Sequence, residues 1–192
     1  MKFLILTEGA AEEALVETLI DKGLTIFTWD DLLDQRTFPN RNIHPNDDIA
    51  DLIYSLKNNE EVCVYRIIDK DNANFEIPKE LKDNIKHFYN ICTKPEIEIL
   101  FIINDGYYKE YLKCKSDFSP SSFYKSMNKK YKKGKQFALN YFSNLEPQVL
   151  KKLILLYTQK RGKVHGLNEQ SFSKILKYSF SKLNIINLKC LV

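Results

Sequence analysis

The sequence predicts an α/β protein, with a parallel sheet of about four strands flanked by helices and a mostly helical C-terminal part. Two patterns lead to this reading. Short apolar runs of strand length alternate with stretches of helical spacing through the first half, which is the signature of strand–helix repeats. From Pro95 onward the strand-like runs stop and helical patterns follow one another.

Lys2 to Glu8 opens the chain as an apolar run that ends on Thr7-Glu8-Gly9. Ala10 to Asp21 is filled with strong helix formers, carries a stripe of Leu15, Leu19 and Ile20, and is closed by Gly23, a suitable C-terminal cap. Thr25 to Trp29 reads as a second strand, and Asp30 to Asn46, with Pro39 and Pro45, as irregular chain. Asp47 and Asp48 favour a helix start, with Ile49, Leu52, Ile53 and Leu56 on its buried face. Val62 to Ile68 is the third strand, Pro78 begins a further helical stretch, and His87 to Thr93 is the fourth strand. Helices are then expected at Pro95–Ile103, Ser119–Met127, Lys135–Ser143, Gln148–Lys160 and Ser171–Tyr178.

A chain of 192 residues is most simply one compact domain and buries enough surface to need no disulfides. No two of its four cysteines form a C-x-x-C pair, which argues against a zinc ribbon or redox dithiol. Neither a signal peptide nor a membrane span is legible, so a cytoplasmic location is expected. Net charge is +4, unevenly spread. Residues 1–105 hold 21 Asp+Glu against 11 Lys+Arg, a net of −10, while residues 106–192 hold 4 against 18, a net of +14. This division suggests an acidic, metal-collecting part (1–105) and a basic, mostly helical extension (106–192) suited to a polyanion. The alternative is that the two halves attract each other.

Glu8 follows the first strand, and Asp69 and Asp71 follow the third, where a parallel sheet gathers chemistry at its carboxyl ends. Carboxylates brought together repel, by roughly 4 kcal/mol for a pair about 4 Å apart at an effective dielectric near 20. A hard divalent cation with oxygen ligands offsets that repulsion, so Mg²⁺ or Mn²⁺ is expected. Glu12 lies one helical turn after Glu8 and could address the same ion; equally, Glu12 and Glu13 could simply favour the helix N-terminus. Gly9 permits a sharp turn and the close approach of a phosphate. Asp69-Lys70-Asp71 puts two carboxylates on one side of an extended segment, and Asn72 adds an oxygen donor. The run does not continue as an EF-hand loop.

Together these residues resemble the Toprim domain of topoisomerases, primases and OLD-family nucleases. Glu8-Gly9-Ala10-Ala11-Glu12 matches its E-G-x-x-E after the first strand, and Asp69-Lys70-Asp71 matches its D-x-D after the third. Lys94-Pro95-Glu96-Ile97-Glu98-Ile99-Leu100-Phe101-Ile102 is similar to the N-P-x-F-E-x-W-L-L segment of the RloB branch. Pro95, Ile97 and Glu98 take its Pro, Phe and Glu positions, while Lys94 and Leu100 replace its Asn and Trp. Tyr131-Lys132-Lys133 looks like a downstream Y-K-K element. The resemblance spans roughly residues 1–140 and implies a Toprim-like (Rossmann-like) sheet. It implies metal ligands at Glu8, Glu12, Asp69, Asp71 and Glu98, and a lysine facing the scissile phosphate among Lys132, Lys133 and Lys163. It further implies a nuclease of bacterial anti-phage defence, restrained by a partner ATPase of the ABC type.

The segment Ser122–Lys135 offers Lys125, Lys129, Lys130, Tyr131, Lys132, Lys133 and Lys135 as a nucleic-acid surface. Lysines neutralise phosphates, and Tyr124 and Tyr131 could stack on unpaired bases. The alternative is a solvated face with its aromatics packed inward. Lys160, Arg161 and Lys163 form a second basic group, with His165 as a possible base; His44 and His87 read as structural or exposed. There is no P-loop and no Ser-His-Asp or Cys-His spacing, and the D-x-D follows the wrong strand for a haloacid-dehalogenase-type phosphatase. The expected function is a metal-dependent nuclease acting on DNA or RNA. A non-catalytic module that binds nucleic acid or a partner protein is the alternative.

Overall fold

The computed structural model describes residues 1–39, 42–56, 60–69, 76–161 and 169–177. It is an α/β fold compatible with a Rossmann-like arrangement. Three parallel strands, β1 (Lys2–Thr7), β2 (Val62–Ile68) and β3 (Ile85–Cys92), lie side by side in chain order. The two-residue β4 (Glu169–Gln170) pairs with Asn90 and Ile91 on the free edge of β3. All seven residues of β2 are buried, as an interior parallel strand covered on both faces requires.

Alternation along the strands divides the core in two. Ile5, Cys63, Tyr65, Ile67 and Ile91 face α1 (Ala10–Asp21) and the C-terminal helices. Leu4, Leu6, Val62 and Val64 face α2 (Asp48–Tyr54), together with Leu33, Phe38 and Leu81. Asp47 caps α2 by accepting from the Ala50 N–H at 2.9 Å. Gly23, at φ 63°, ends α1 in a Schellman turn: its N–H donates to Ile20 O at 2.8 Å and that of Leu24 to Leu19 O at 2.9 Å.

The strand expected at Thr25–Trp29 does not form. Thr28 is instead the N-cap of a 3-10 turn, Trp29–Asp31, with its own N–H and hydroxyl both bonded to Asp31 Oδ2 at 2.8 Å. Phe27 still enters the core, against Phe3 and Tyr65. The free edge of β1 is taken further along the chain, where Leu32 and Phe38 make single parallel bridges to Phe3 and Leu6. The chain thus pairs first on one side of β1 and then, through β2, on the other. α1 and α2 cover opposite faces, so the carboxyl end of β1 is where a ligand crevice is expected to open in such a sheet.

The remaining helices are α3 (Ile99–Asn104), α4 (Tyr108–Cys114), α5 (Pro120–Met127), α6 (Lys135–Ser143) and α7 (Pro147–Arg161). The helix expected from Pro78 shrinks to one 3-10 turn, Lys79–Leu81, because β3 begins at Ile85. That expected at Pro95 begins at Ile99, after turn hydrogen bonds from Ile99 and Leu100 to Glu96 O and Ile97 O, each 3.0 Å. The one expected at Ser171–Tyr178 is a 3-10 turn at Phe172–Ile175. α4 has no apolar stripe and buries only Tyr111, so the sequence pattern does not reveal it.

Phe101 on α3 is the hub of the C-terminal packing. Rings of Tyr124, Tyr131, Phe137, Tyr141 and Phe142 surround it at centroid distances of 4.6–6.1 Å. Asp105, just after α3, accepts from the hydroxyls of Tyr124 (2.6 Å) and Tyr141. Among the described residues, no helix is long and apolar enough to cross a membrane.

Candidate functional site

Parallel pairing carries β1 and β2 to the same level, and it continues one step beyond the strands: the Glu8 N–H donates to Ile67 O at 2.9 Å. In return the Asp69 N–H donates to Glu8 Oε2 at 3.2 Å. Glu8 and Asp69 are therefore neighbours across adjacent strand ends. A cleft of about 140 Å³ opens there, lined by Glu8, Gly9, Glu12, Asp69, Glu96 and Glu98, with Lys133 and Gly134 on its rim. The four described acids expected at the site, Glu8, Glu12, Asp69 and Glu98, come to one place. Asp71 lies outside the described residues, as do Lys163 and His165.

Each acid is held differently. Glu12 is 6% exposed, in the first turn of α1, with its Oε1 3.0 Å from the Thr93 hydroxyl. Its carboxylate folds back over Gly9, where an added Cβ would meet Oε2 at 2.0 Å. Gly9 has an ordinary extended backbone (φ −118°), so it is glycine for space rather than for conformation. Burial pushes the Glu12 carboxyl up to about 7, and the charges of Glu98 and Asp69 push the same way. A protonated Glu12 can donate to Thr93 Oγ1 while Thr93 donates to Ile68 O at 3.1 Å, which satisfies the whole chain of bonds.

Glu98, 4% exposed, sits in the turn before α3. Its carboxyl is also raised, by burial first and by Glu96, against the lowering effect of Lys133. Its Oε1 accepts from the Tyr131 hydroxyl at 3.2 Å and lies 4.0 Å from Lys133 Nζ. Among the described residues, two buried oxygens in the cleft have no hydrogen-bond partner, Asp69 Oδ1 and Glu96 Oε2. Native proteins rarely leave buried oxygens orphaned, and a cation is one of the few groups that satisfies them. Glu96 is the site residue that sequence reasoning missed: in Lys-Pro-Glu-Ile-Glu nothing but the turn before α3 distinguishes it. Among the described residues, no three His, Cys, Asp or Glu side chains stand close enough to make a ready-assembled metal-ligand group.

The buried acid has a thermodynamic signature. Between pH 4.5 and about 7 the folded chain keeps a proton on Glu12 that the unfolded chain has released. Stability from this group is therefore highest below pH 4.5 and falls as pH rises to about 7. The loss is on the order of 3 kcal/mol at most, at 1.36 kcal/mol per pH unit. Glu12→Gln is expected to flatten that slope and to raise Tm relative to the parent at pH 8, read from melting curves across pH 4.5–8.5. Gly9→Ala is expected to displace the Glu12 carboxylate while leaving the helix formed, seen as a flattened dependence of Tm on pH with circular dichroism unchanged.

The basic residues divide. Lys125, Lys129, Lys130, Lys132 and Lys133 are exposed, and Lys133, in the loop between α5 and α6, lines the cleft. Lys135 is not available to a phosphate, because its Nζ bridges Glu13 (3.2 Å) and Glu17 (2.9 Å) and ties α6 to α1. Tyr131 and Tyr124 do not stack on bases, since both are core residues, 5% and 0% exposed. Their rings lie at 5.2 Å from one another, inside the cluster around Phe101. Lys160 and Arg161 close α7. His44 and His87 lie apart from the cleft, and His87 stacks on Tyr89. Comparison with protein-family models, with curated proteins and with solved structures gave no match.

Proposed function

We propose that this chain is a divalent-metal-dependent nuclease of the Toprim type, cleaving a phosphodiester bond in DNA or RNA. The observation that carries the reading is the pair of orphaned buried oxygens, Asp69 Oδ1 and Glu96 Oε2, in a cleft shared with Glu8, Glu12 and Glu98. An acidic cleft at two strand ends, with the Glu12 and Glu98 carboxyls raised by burial first, fits a Mg²⁺ or Mn²⁺ ion. Asp69, Glu96, Glu8 and Glu98 are the residues that would hold it. A bound ion of this kind polarises a phosphoryl oxygen and lowers the pKa of an attacking water.

The protein's own groups supply the rest. Lys133, on the rim with its side chain 69% exposed, is placed to neutralise a phosphate. Lys125, Lys129, Lys130 and Lys132 extend that positive surface along the strand. Glu12, poised near neutrality beside Thr93, can take up or release a proton at the cleft floor. The setting in anti-phage defence and a partner ATPase are supported by the sequence resemblance alone.

The test is incubation of the purified chain with tRNA, plasmid and single-stranded DNA, in Mn²⁺ or Mg²⁺ and in EDTA. Cleavage that requires metal and is lost in EDTA is expected. Binding to these nucleic acids with no cleavage in either metal would favour the non-catalytic module.

A further inference from the structure

The loop between α5 and α6 carries exposed lysines, yet its centre is fixed in the core. The ring of Tyr131 packs against Phe137 at 5.0 Å, Tyr124 at 5.2 Å and Phe101 at 6.1 Å. Asn128 braces the turn: its carbonyl accepts from the Tyr131 N–H, its Oδ1 from the Lys130 N–H, and its Nδ2 donates to the Tyr124 hydroxyl, each at 3.0 Å. The hydroxyl of Tyr131 emerges from this apolar packing 3.2 Å from Ser121 Oγ and 3.2 Å from Glu98 Oε1. That same Oε1 forms an ion pair with Lys133 Nζ at 4.0 Å, beyond a close charge-assisted hydrogen bond. One carboxylate oxygen is therefore contested by a buried neutral donor and a solvent-facing cation.

We propose that Tyr131 is a positioning residue that keeps Glu98 and Lys133 apart. Its hydroxyl occupies Oε1 and holds the carboxylate toward the cleft, so the Lys133 ammonium stays free to meet a phosphate. Without that hydroxyl, Glu98 and Lys133 close into a direct ion pair, and the site loses both a ligand for a cation and a cation for the substrate. The inference rests on the nuclease reading for its purpose but not for its test, which measures metal binding.

Tyr131→Phe keeps the ring and removes only the O–H, so the fold is retained. In titration calorimetry with Mn²⁺, the variant is expected to bind about 10-fold more weakly than the parent, within the range seen when a residue supporting a metal ligand is removed. Adding Lys133→Met to Tyr131→Phe is expected to restore Mn²⁺ affinity, because the competing cation is gone. A merely structural role predicts that Lys133→Met raises Mn²⁺ affinity by the same factor in the parent and in Tyr131→Phe, whereas the proposal requires a larger gain in Tyr131→Phe. In cleavage assays, the single variant should regain most of its kcat at saturating Mn²⁺ and keep a raised KM.

An unchanged Mn²⁺ affinity in Tyr131→Phe overturns the inference, as does a loss that Lys133→Met leaves in place. If the parent binds Mn²⁺ but cuts nothing, the nuclease reading falls and the affinities of the variants still decide the role of Tyr131. A parent that binds no Mn²⁺ overturns both.

Discussion

Asp69→Asn is expected to lower metal-dependent cleavage at least about 100-fold, since changes one shell further out already cost about 10–100-fold at metal sites. The substitution is nearly isosteric, so the backbone bond from Asp69 N–H to Glu8 Oε2 survives. What is lost is the negative charge on a buried oxygen that has no protein partner. An amide oxygen is a weaker ligand for a hard cation than a carboxylate. In EDTA the variant should melt at or slightly above the parent's temperature, because the Asp69 charge is one of the influences raising the Glu12 carboxyl. With millimolar Mn²⁺ the parent should gain stability and the variant should not. Cleavage within a few-fold of the parent, or an equal Mn²⁺-induced rise in Tm, would remove Asp69 from the site.

Phe101→Ala should be the most destabilising change of a single side chain, costing about 3–5 kcal/mol. Phe101 is 1% exposed and packs with five aromatic rings, each contributed by a segment C-terminal to it. Truncation leaves a cavity that those rings cannot close without giving up their own contacts, notably the Tyr124 and Tyr141 bonds to Asp105. Phe101→Leu, which conserves more of the volume, should cost less, about 1.5 kcal/mol. Urea unfolding followed by circular dichroism separates the two. Equal, small losses in both variants would show that the cluster is loosely packed and that the hub is elsewhere.

How much of this was legible beforehand follows from what each residue needed in order to be read. The interior strand Val62–Ile68 announces itself because a run that is apolar except at Arg66 is what burial on both faces favours. Lys135–Ser143 and the Gly23 stop are equally local decisions. Glu8 and Asp69 are legible because a parallel sheet sends consecutive strand ends to one edge, whatever the intervening chain does. Thr25–Trp29 misleads because its alternation is real, since Phe27 is buried, while Thr28 and Asp31 turn the chain after a single antiparallel bridge from Thr25 to Leu176. Pairing is a tertiary outcome that propensity does not contain.

The loop lysines mislead in a different way. Tyr131 looks like a surface residue because lysines flank it on both sides, yet its ring turns inward and its neighbours snorkel outward. Lys135 belongs to the same run by composition and to an internal ion-pair bridge by position. Glu96 could not be singled out at all, because its importance depends on a turn that only the packed α3 defines.

The place where the charge changes sign, near residue 105, is not a seam. Phe101, on the acidic side, has its aromatic neighbours among the described residues on the basic side, and Lys135 is anchored on Glu13 and Glu17. Whatever anion settles on the exposed lysines is therefore gripped by the same solid block that carries the carboxylates. The molecule is a one-piece jig, in which the reach between lysines and carboxylates is fixed at folding.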